Sequence, residues 1–534
     1  MSSPSAGNPR SPRDLPLCDR VAIEPGAVEG SFRLALLPSP AALMLAGVLA
    51  ITGLRLLWLV FQPADLYPDE AQYWFWAQHP AFGYYSKPPL VAWLIALTIG
   101  LFGESEFAIR LSAPLLHAGA AVFVYAIGAR LYDGRIGLWS ALAYASLPGA
   151  SISAFIISTD APLLLFWAAA LYAFIRARED SGRGWWLAVG AACGLGLLAK
   201  YAMAYWIFSA LGFVLVLRAE RRHLGPLLAA IGIALLLYSP NFWWNWNNGF
   251  VSYLHVKDNA GLDEPLIHPD AFLEFFGSQF AVFGPLFFAG LIWLAASPRT
   301  LAEARARLLA TFALPTLVMM LAVSFLSRAN ANWAAPAFVS ATVLVVAWSL
   351  GRGWRKLVAF SIALHLAAVT VLFTGRDALA AFGVGLPAKY DPLSRLRGWR
   401  TLGTTVGAAL AAHPGFVLFG DDRETLAALI YYVHPHPFDA VKWKLKSGLP
   451  KDQWELTNGL RQHRGGNFLL VSEHNLIPEM TPSFASIDRL ESVVIPVGPG
   501  DSRAYTLYFA RGFKGYSWDH EQLPAQPIYG VGGR

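Results

Sequence analysis

Charge is scarce in this chain. Asp, Glu, Lys and Arg make up 14% of its 534 residues, and hydrophobic residues make up 55%. A soluble domain carries about 25% charged residues, so an ordinary soluble globule is excluded. Cysteine is scarcer still. Cys18 precedes the first long apolar run and Cys193 lies inside another, which excludes a disulfide framework and any CxxC metal pattern. No glycine-rich nucleotide loop is present, and no internal repeat suggests the inverted halves of a transporter. Residues 1–34 are rich in Ser, Pro and Arg with no early apolar segment. They read as a disordered cytoplasmic tail rather than a cleaved signal peptide. The net charge of +6 is spread over short loops and forms no basic face. That distribution excludes a nucleic-acid partner and fits the positive-inside rule.

Long apolar runs are what the chain has in abundance. Eleven candidate spans fall near 39–61, 107–130, 136–157, 161–177, 185–199, 202–218, 224–242, 271–295, 307–326, 334–350 and 355–374. The run at 88–103 is too short and reads as an interfacial or re-entrant helix. With the N-terminus cytoplasmic, the inner loops hold Arg130, Arg135, Arg176, Arg178, Arg183, Arg218, Arg221, Arg222, Arg299, Arg305, Arg307, Arg352, Arg355 and Lys356. The outer short loops hold Lys87, Arg110, Lys200, Lys257 and Arg328, scattered singly. The asymmetry repeats in every loop and supports that orientation. An odd number of spans then places the C-terminal part outside.

From about residue 375 the composition becomes ordinary. "GFVLFGD", "NFLLVSE", "ESVVIPVG" and "AYTLYFA" read as short strands, and "DRETLAALIYYV" reads as a helix behind an acidic cap. The expected fold is an α-helical polytopic membrane protein of about eleven transmembrane helices with a C-terminal soluble mixed α/β domain. Its expected parts are a tail at 1–38, a membrane domain at 39–374 with outer loops at 62–106 and 243–270, and an outer domain at 375–534.

Five polar features fall on the same expected face. The segment 67–89, "YPDEAQYWFWAQHPAFGYYSKPP", holds Asp69, Glu70, Lys87 and eight aromatic rings, among them Tyr73, Tyr84 and Tyr85. "ISTDAP" holds Asp160, "LLAKYAMAYW" holds Lys200, "SPNFWWNWNNGFVSYLHVKDNAG" holds His255, and "SRANANWAAPA" holds Arg328, Asn330, Asn332 and Trp333. Carboxylates and amides bond sugar hydroxyls, aromatic faces stack on pyranose rings, and lysine or arginine holds phosphate. Plainer readings stand beside these. Trp and Tyr anchor span ends at an interface, and Lys200 can snorkel between two spans. Asp160 can cap the helix behind it. His255 can be a structural hydrogen bonder, and Asn330 and Asn332 can satisfy a tight loop. Two adjacent acids beside a span are harder to explain so plainly, because ionised carboxylates facing lipid are costly.

These motifs resemble the membrane glycosyltransferases of the GT-C superfamily, in the branch that holds the protein O-mannosyltransferases and the lipid A aminoarabinose transferase. "PDEAQYW", "YYSKPPLVAWLI", "STDAPLLLFWAAALYAF", "GLGLLAKY", "PNFWWNWNNGFVSY", "NWAAPA" and "DPLSRLRGWRTLG" carry the resemblance over roughly 39–403. It implies a polyprenyl-phosphate sugar donor, a lipid or glycan acceptor and membrane lipids as partners. Asp69 resembles the first-loop carboxylate and is the candidate general base, Glu70 is a supporting carboxylate, and Asp160 resembles the second-loop acid. Lys87 resembles the donor-phosphate lysine of the aminoarabinose transferases, with Lys200 and Arg328 beside it as candidates. Tyr73, Tyr84, Tyr85, His255, Asn332 and Trp333 are candidates for sugar or acceptor contact. No cofactor is required by this chemistry. Some relatives carry a metal in the outer cavity, and no metal-ligand spacing is present here, so the metal stays open. The missing nucleotide loop suits a lipid donor already flipped outward.

The reading is therefore an inverting glycosyltransferase acting on lipid A, lipopolysaccharide or a related envelope glycan, with galacturonic acid, aminoarabinose or mannose as donor sugar. Transfer to secreted proteins is the alternative acceptor, and transport of a lipid-linked sugar is the reading from another class. "RLRGWR" at 395–400 either steers an anionic acceptor or packs its segment onto the membrane face.

Overall fold

Runs of apolar residues with polar interruptions at their ends give helices that span. In the computed structural model, which describes residues 38–180, 182–261, 267–474 and 476–520, six helices are long and apolar enough to cross a membrane. They are Pro40–Phe61, Glu106–Leu131, Asp160–Glu179, Arg218–Asn247, Ala304–Leu326 and Arg355–Ala381. The pair Pro269–Val282 and Pro285–Ala295 makes a seventh if counted as one bent span, and four apolar helices are shorter: Leu90–Phe102, Arg183–Ala199, Met203–Val216 and Ala337–Gly351. The expected tail at 1–38 lies almost wholly outside the described residues.

Proline decides where two expected spans depart from straight helices. The run 136–157 is split into Gly134–Ser146 and Pro148–Phe155, with Leu147 extended at φ −50°, ψ 133°. A residue before proline is pushed out of the helical region. The run 271–295 bends by 116° at a break where Gly284 takes φ 87° and Pro285 opens the next helix. Only glycine adopts that φ without strain.

Asp160–Glu179 and Ala337–Gly351 are largely buried, whereas Pro40–Phe61, Arg218–Asn247 and Arg355–Ala381 expose rows of Leu, Val and Phe. Apolar faces of that extent do not suit water, and the protein is a helical membrane protein. Small residues set the closest helix approaches. A Cβ at Gly190 would meet the Ala230 carbonyl oxygen at 2.6 Å, the close packing typical of membrane helices.

The C-terminal part is a mixed α/β unit. β1 (Val417–Gly420), β2 (Val441–Lys442), β3 (Asn467–Ser472), β4 (Ser486–Gly498) and β5 (Asp501–Arg511) form one sheet in the order β2-β1-β3-β5-β4. β1 is parallel to β2 and β3, while β5 is antiparallel to β3 and β4. Helix Arg355–Ala381 runs without a break past the change of composition at 375.

Helix Pro68–Ala77 joins the two parts. Every residue in it except Asp69 is buried. Trp74 meets Tyr431 edge-on at 4.9 Å, Phe75 stacks on Trp454 at 5.3 Å, and Trp76 stacks on Tyr84 at 4.7 Å. These rings are the core between the helical bundle and the sheet unit, not interface anchors. The arginines of "RLRGWR" also pack. Arg395 pairs with Glu424 at 2.6 Å and lies over the Tyr67 ring, Arg397 pairs with Asp391 at 3.1 Å, and Arg400 pairs with Glu106 at 2.5 Å. These contacts pack the motif against neighbouring segments of the chain.

Glu70 departs from its expected place among reacting groups. It is fully buried and paired with Arg110, which is buried too, at 2.7 Å. Its Oε1 accepts from the Ile157 N–H at 3.0 Å and its Oε2 from the Tyr67 N–H at 2.9 Å. Arg110 also donates to the carbonyls of Ala64 and Asp65. With both oxygens saturated and no exposed surface, Glu70 is an anchor rather than a second acid beside Asp69. Arg110→Met is expected to leave that carboxylate buried without a partner and to cost about 3–5 kcal/mol. The check is the thermal unfolding midpoint of the detergent-purified protein, and an unchanged midpoint would contradict the anchor role.

Candidate active site

Asp160 opens helix Asp160–Glu179, where a carboxylate suits the positive end of the helix dipole. It does more than cap. Its Oδ1 lies 2.6 Å from Lys200 Nζ, and its Oδ2 accepts from Asn332 Nδ2 at 2.6 Å. Lys200 is reached because helix Arg183–Ala199 ends there in extended backbone, and Asn332 sits on the short turn Ala331–Ala334. Three residues expected at one face from three separate runs therefore touch. Capping alone does not account for Asp160, nor snorkelling for Lys200.

Asp69 is the exposed member of its helix, with 40% of its side chain accessible. Arg423 Nη1 donates to Asp69 Oδ1 at 2.8 Å and to Gln72 Oε1 at 2.8 Å. Asp69 Oδ2 has no partner among the described residues. Arg423 was not among the sequence candidates. It is the first residue of helix Arg423–Tyr432, 354 positions from Asp69, and "DDRET" carries no local signal beyond a helix start. Burial opposes its charge, but Asp69, Glu424 and Tyr73 together push the guanidinium pKa further up.

Lys87 stands near both pairs. Its ammonium pKa is lowered, first by burial and then by Lys200, with Asp69 and Asp160 acting in the opposite direction. Lys87 Nζ has no hydrogen bond or ion pair among the described residues. The surrounding loop is pinned by its backbone: Asn241 Nδ2 donates to the Phe82 carbonyl at 2.7 Å, Ser252 Oγ to the Tyr84 carbonyl at 2.8 Å, and the Tyr85 N–H to Gln453 Oε1 at 2.8 Å. The backbone of the loop is fixed, and the lysine's charge has no protein partner among the described residues.

Tyr73 also belongs to this cluster. Burial raises its phenol pKa well above the ordinary value, and Asp69 and Asp160 both add to the rise. Its hydroxyl has no partner among the described residues. His255, on helix Val251–Ala260, is half-buried beside Tyr85, with Asn259 Nδ2 at 2.9 Å from its Nε2. Burial, then Lys87 and Arg423, push its pKa down to about 4, so it is a neutral imidazole.

Other candidates fall elsewhere. Tyr84 is buried flat against Trp76, donates its hydroxyl to the Trp76 carbonyl and accepts from the Ala81 N–H. Both its ring and its hydroxyl are committed to the loop's own fold. Tyr85 is buried, and the acids that raise its phenol after burial are Asp452, Asp258 and Glu455 rather than Asp69 or Asp160. These two rings pack the loop against its neighbours and offer no open face to a sugar. Arg328 is exposed and has no ion pair among the described residues, so the structure does not join it to the cluster. Trp333 is half-buried against the helical core beside Asn332. Among the described residues no group of three His, Cys, Asp or Glu side chains is placed to hold a metal.

The family model described as dolichyl-phosphate-mannose-protein mannosyltransferase matches residues 86–244. Over 429 residues the chain is 30% identical to the lipid A galacturonosyltransferase RgtD of Rhizobium johnstonii, an alignment covering 80% of this chain and 90% of that one. Over 255 residues it is 28% identical to the undecaprenyl phosphate-alpha-4-amino-4-deoxy-L-arabinose arabinosyl transferase of Pseudomonas savastanoi, covering 41% of this chain and 44% of that one. Its fold is similar to that of ArnT from Cupriavidus metallidurans bound to undecaprenyl phosphate, with a TM-score of 0.59 at 17% identity over 90% of this chain and 98% of that chain. Similarity sustained over 90% of a relative's length, on a shared fold, settles the family: the chain belongs to the GT-C superfamily of membrane glycosyltransferases, in the branch of the lipid A aminoarabinose transferases and protein O-mannosyltransferases.

Proposed function

We propose that this enzyme moves a sugar from a polyprenyl-phosphate donor to lipid A, with inversion, at the periplasmic face of the bacterial inner membrane. The observation that carries this reading is Lys87, an ammonium in a loop with a pinned backbone, within electrostatic reach of Asp69 and Asp160 and without an ion pair among the described residues. A cation so placed suits an anionic group of a ligand, and the donor phosphate is such a group. The relatives' names support a lipid-linked sugar and a lipid A acceptor. The name of the relative aligned over most of its length makes galacturonic acid the first donor sugar to test.

In this mechanism the acceptor hydroxyl oxygen bonds the anomeric carbon while that carbon's bond to the phosphate oxygen breaks. The electron pair leaves with the phosphate. Lys87, with Lys200 nearby, stabilises the charge that develops there. Asp69 Oδ2 takes the hydroxyl proton. Asp160 orients Lys200 and Asn332, and Tyr73, within electrostatic reach of both acids, offers its hydroxyl to the sugar. His255, being neutral, offers hydrogen bonds and no charge. The loop-charge asymmetry of the sequence supports a cytoplasmic N-terminus, and the reading has a tail at 1–38, a membrane part at 39–374 and a periplasmic domain at 375–534. The match to a mannosyltransferase family model over 86–244 favours a second reading, transfer to secreted proteins.

Mass spectrometry of lipid A from a deletion strain carrying wild type, Asp69→Asn or Lys87→Met separates these readings. Wild type is expected to add one sugar mass. Asp69→Asn is expected to slow transfer about 10²–10⁴-fold, the usual worth of a general base, and Lys87→Met to raise the donor KM as well. Lipid A of equal mass in all strains would reject the lipid A acceptor, and full transfer by Asp69→Asn would reject the base.

The His255 value has its own consequence. Its folded-state pKa of about 4 lies below the ordinary 6.5, so the unfolded chain takes a proton that the folded one refuses. This lowers stability as pH falls through that interval. His255→Gln is expected to flatten the fall of the unfolding midpoint between those two pH values, and an unchanged slope would contradict the burial of a neutral imidazole.

A further inference from the structure

We infer that Arg423 is a positioning residue for Asp69, and that the C-terminal α/β unit thereby completes the active site of the helical bundle. The inference rests on the proposed reading of Asp69 as the general base. It goes beyond that reading by assigning a role to a residue outside the matched motifs.

The geometry is a clamp. Asp69 and Gln72 lie one helical turn apart, and that spacing puts both on one face. Arg423 Nη1 sits between them, 2.8 Å from each oxygen. Gln72 is buried, so one jaw of the clamp is fixed. The arginine's backbone is fixed as well. β1 ends at Gly420, and Asp422 caps the next helix by accepting from the Thr425 N–H at 2.8 Å. A chain of charges runs on from the guanidinium. Arg423 Nη2 lies 3.4 Å from Glu424 Oε1, Glu424 Oε2 pairs with Arg395 at 2.6 Å, and Arg395 covers the ring of Tyr67 at 4.7 Å. Tyr67 is the N-cap of the helix that carries Asp69. The chain therefore closes on the same helix start where it began.

The consequence concerns the two oxygens of Asp69. Oδ1 is committed to Arg423, while Oδ2 is left to receive the acceptor proton. A carboxylate with one oxygen tethered presents the other in a fixed plane, and general-base transfer depends on that alignment. Arg423 is not needed to hold the two parts together. Trp74 against Tyr431, Tyr432 on Glu106 at 2.6 Å and Tyr85 on Gln453 at 2.8 Å do that independently.

The test uses the purified full chain in detergent with a polyprenyl-phosphate sugar donor and lipid A, comparing Arg423→Gln, Arg423→Lys, Gln72→Leu and Asp69→Asn. For Arg423→Gln, kcat is expected to fall about 10–100-fold, the scale of a misplaced catalytic group, with the donor KM within about twofold of wild type. Arg423→Lys is expected to recover part of kcat, and Gln72→Leu to lose less than Arg423→Gln. Adding Arg423→Gln to Asp69→Asn is expected to cost nothing more, because a residue that acts through Asp69 has nothing left to act on. A donor KM that rises while kcat holds would make Arg423 a donor ligand instead and overturn the proposal. So would a full additional loss in the double variant, or unchanged kinetics in Arg423→Gln beside an inactive Asp69→Asn. An active Asp69→Asn would instead reject the base itself. If Arg423→Gln fails to fold, the Lys and Gln72→Leu variants decide by the same split between kcat and KM.

Discussion

The buried pair of Glu70 and Arg110 is the interaction on which the site rests. Two opposite charges with no exposed surface are expensive to bury, and they are tolerated only when every remaining lone pair and N–H is used. Here they are used by the Tyr67 and Ile157 N–H groups and by the carbonyls of Ala64 and Asp65. The pair thereby fixes three things at one point: the chain leaving the first long helix, the start of the helix that carries Asp69, and the turn that leads into Asp160. Glu70, itself buried, ties down the helix start that carries Asp69 and the chain that leads into Asp160.

Around that anchor the charges are arranged by pairing. Asp160 is neutralised by Lys200 and Asp69 by Arg423, while Lys87 has no ion pair among the described residues. In a region of low polarity an unpaired charge is costly, and burial already lowers the Lys87 pKa. The loop that carries it is fixed through its backbone, at the carbonyls of Phe82 and Tyr84. A phosphate of a polyprenyl-phosphate donor is an anion of the kind such a cation suits.

The aromatics serve this arrangement indirectly. Trp74, Phe75, Trp76 and Tyr84 form a continuous core between the bundle and the α/β unit. Their packing allows a loop helix to be buried on nearly every side while Asp69 alone remains open. The C-terminal unit is thus more than an attachment. Its helix Arg423–Tyr432 supplies both the rings that dock it and the guanidinium that meets Asp69.

The sequence by itself determined the membrane-helical class, through charge scarcity and apolar runs, and it determined that Asp69, Lys87, Asp160, Lys200 and Asn332 share one face, because polar residues at helix ends are visible in a hydropathy pattern. It also marked strands β1, β3, β4 and β5 by their short apolar runs. Tertiary structure alone decided which of two neighbouring acids stays accessible, since a one-residue step on a helix turns a side chain by about 100° and only the packed surroundings say which direction is solvent. It alone decided that Tyr84 and Tyr85 pack inward, that Arg328 stands apart, and that the run 271–295 bends by 116° at its break. Arg423 is the clearest case. Its contact with Asp69 spans 354 positions, and no local pattern encodes a partner that only the folded chain brings within reach.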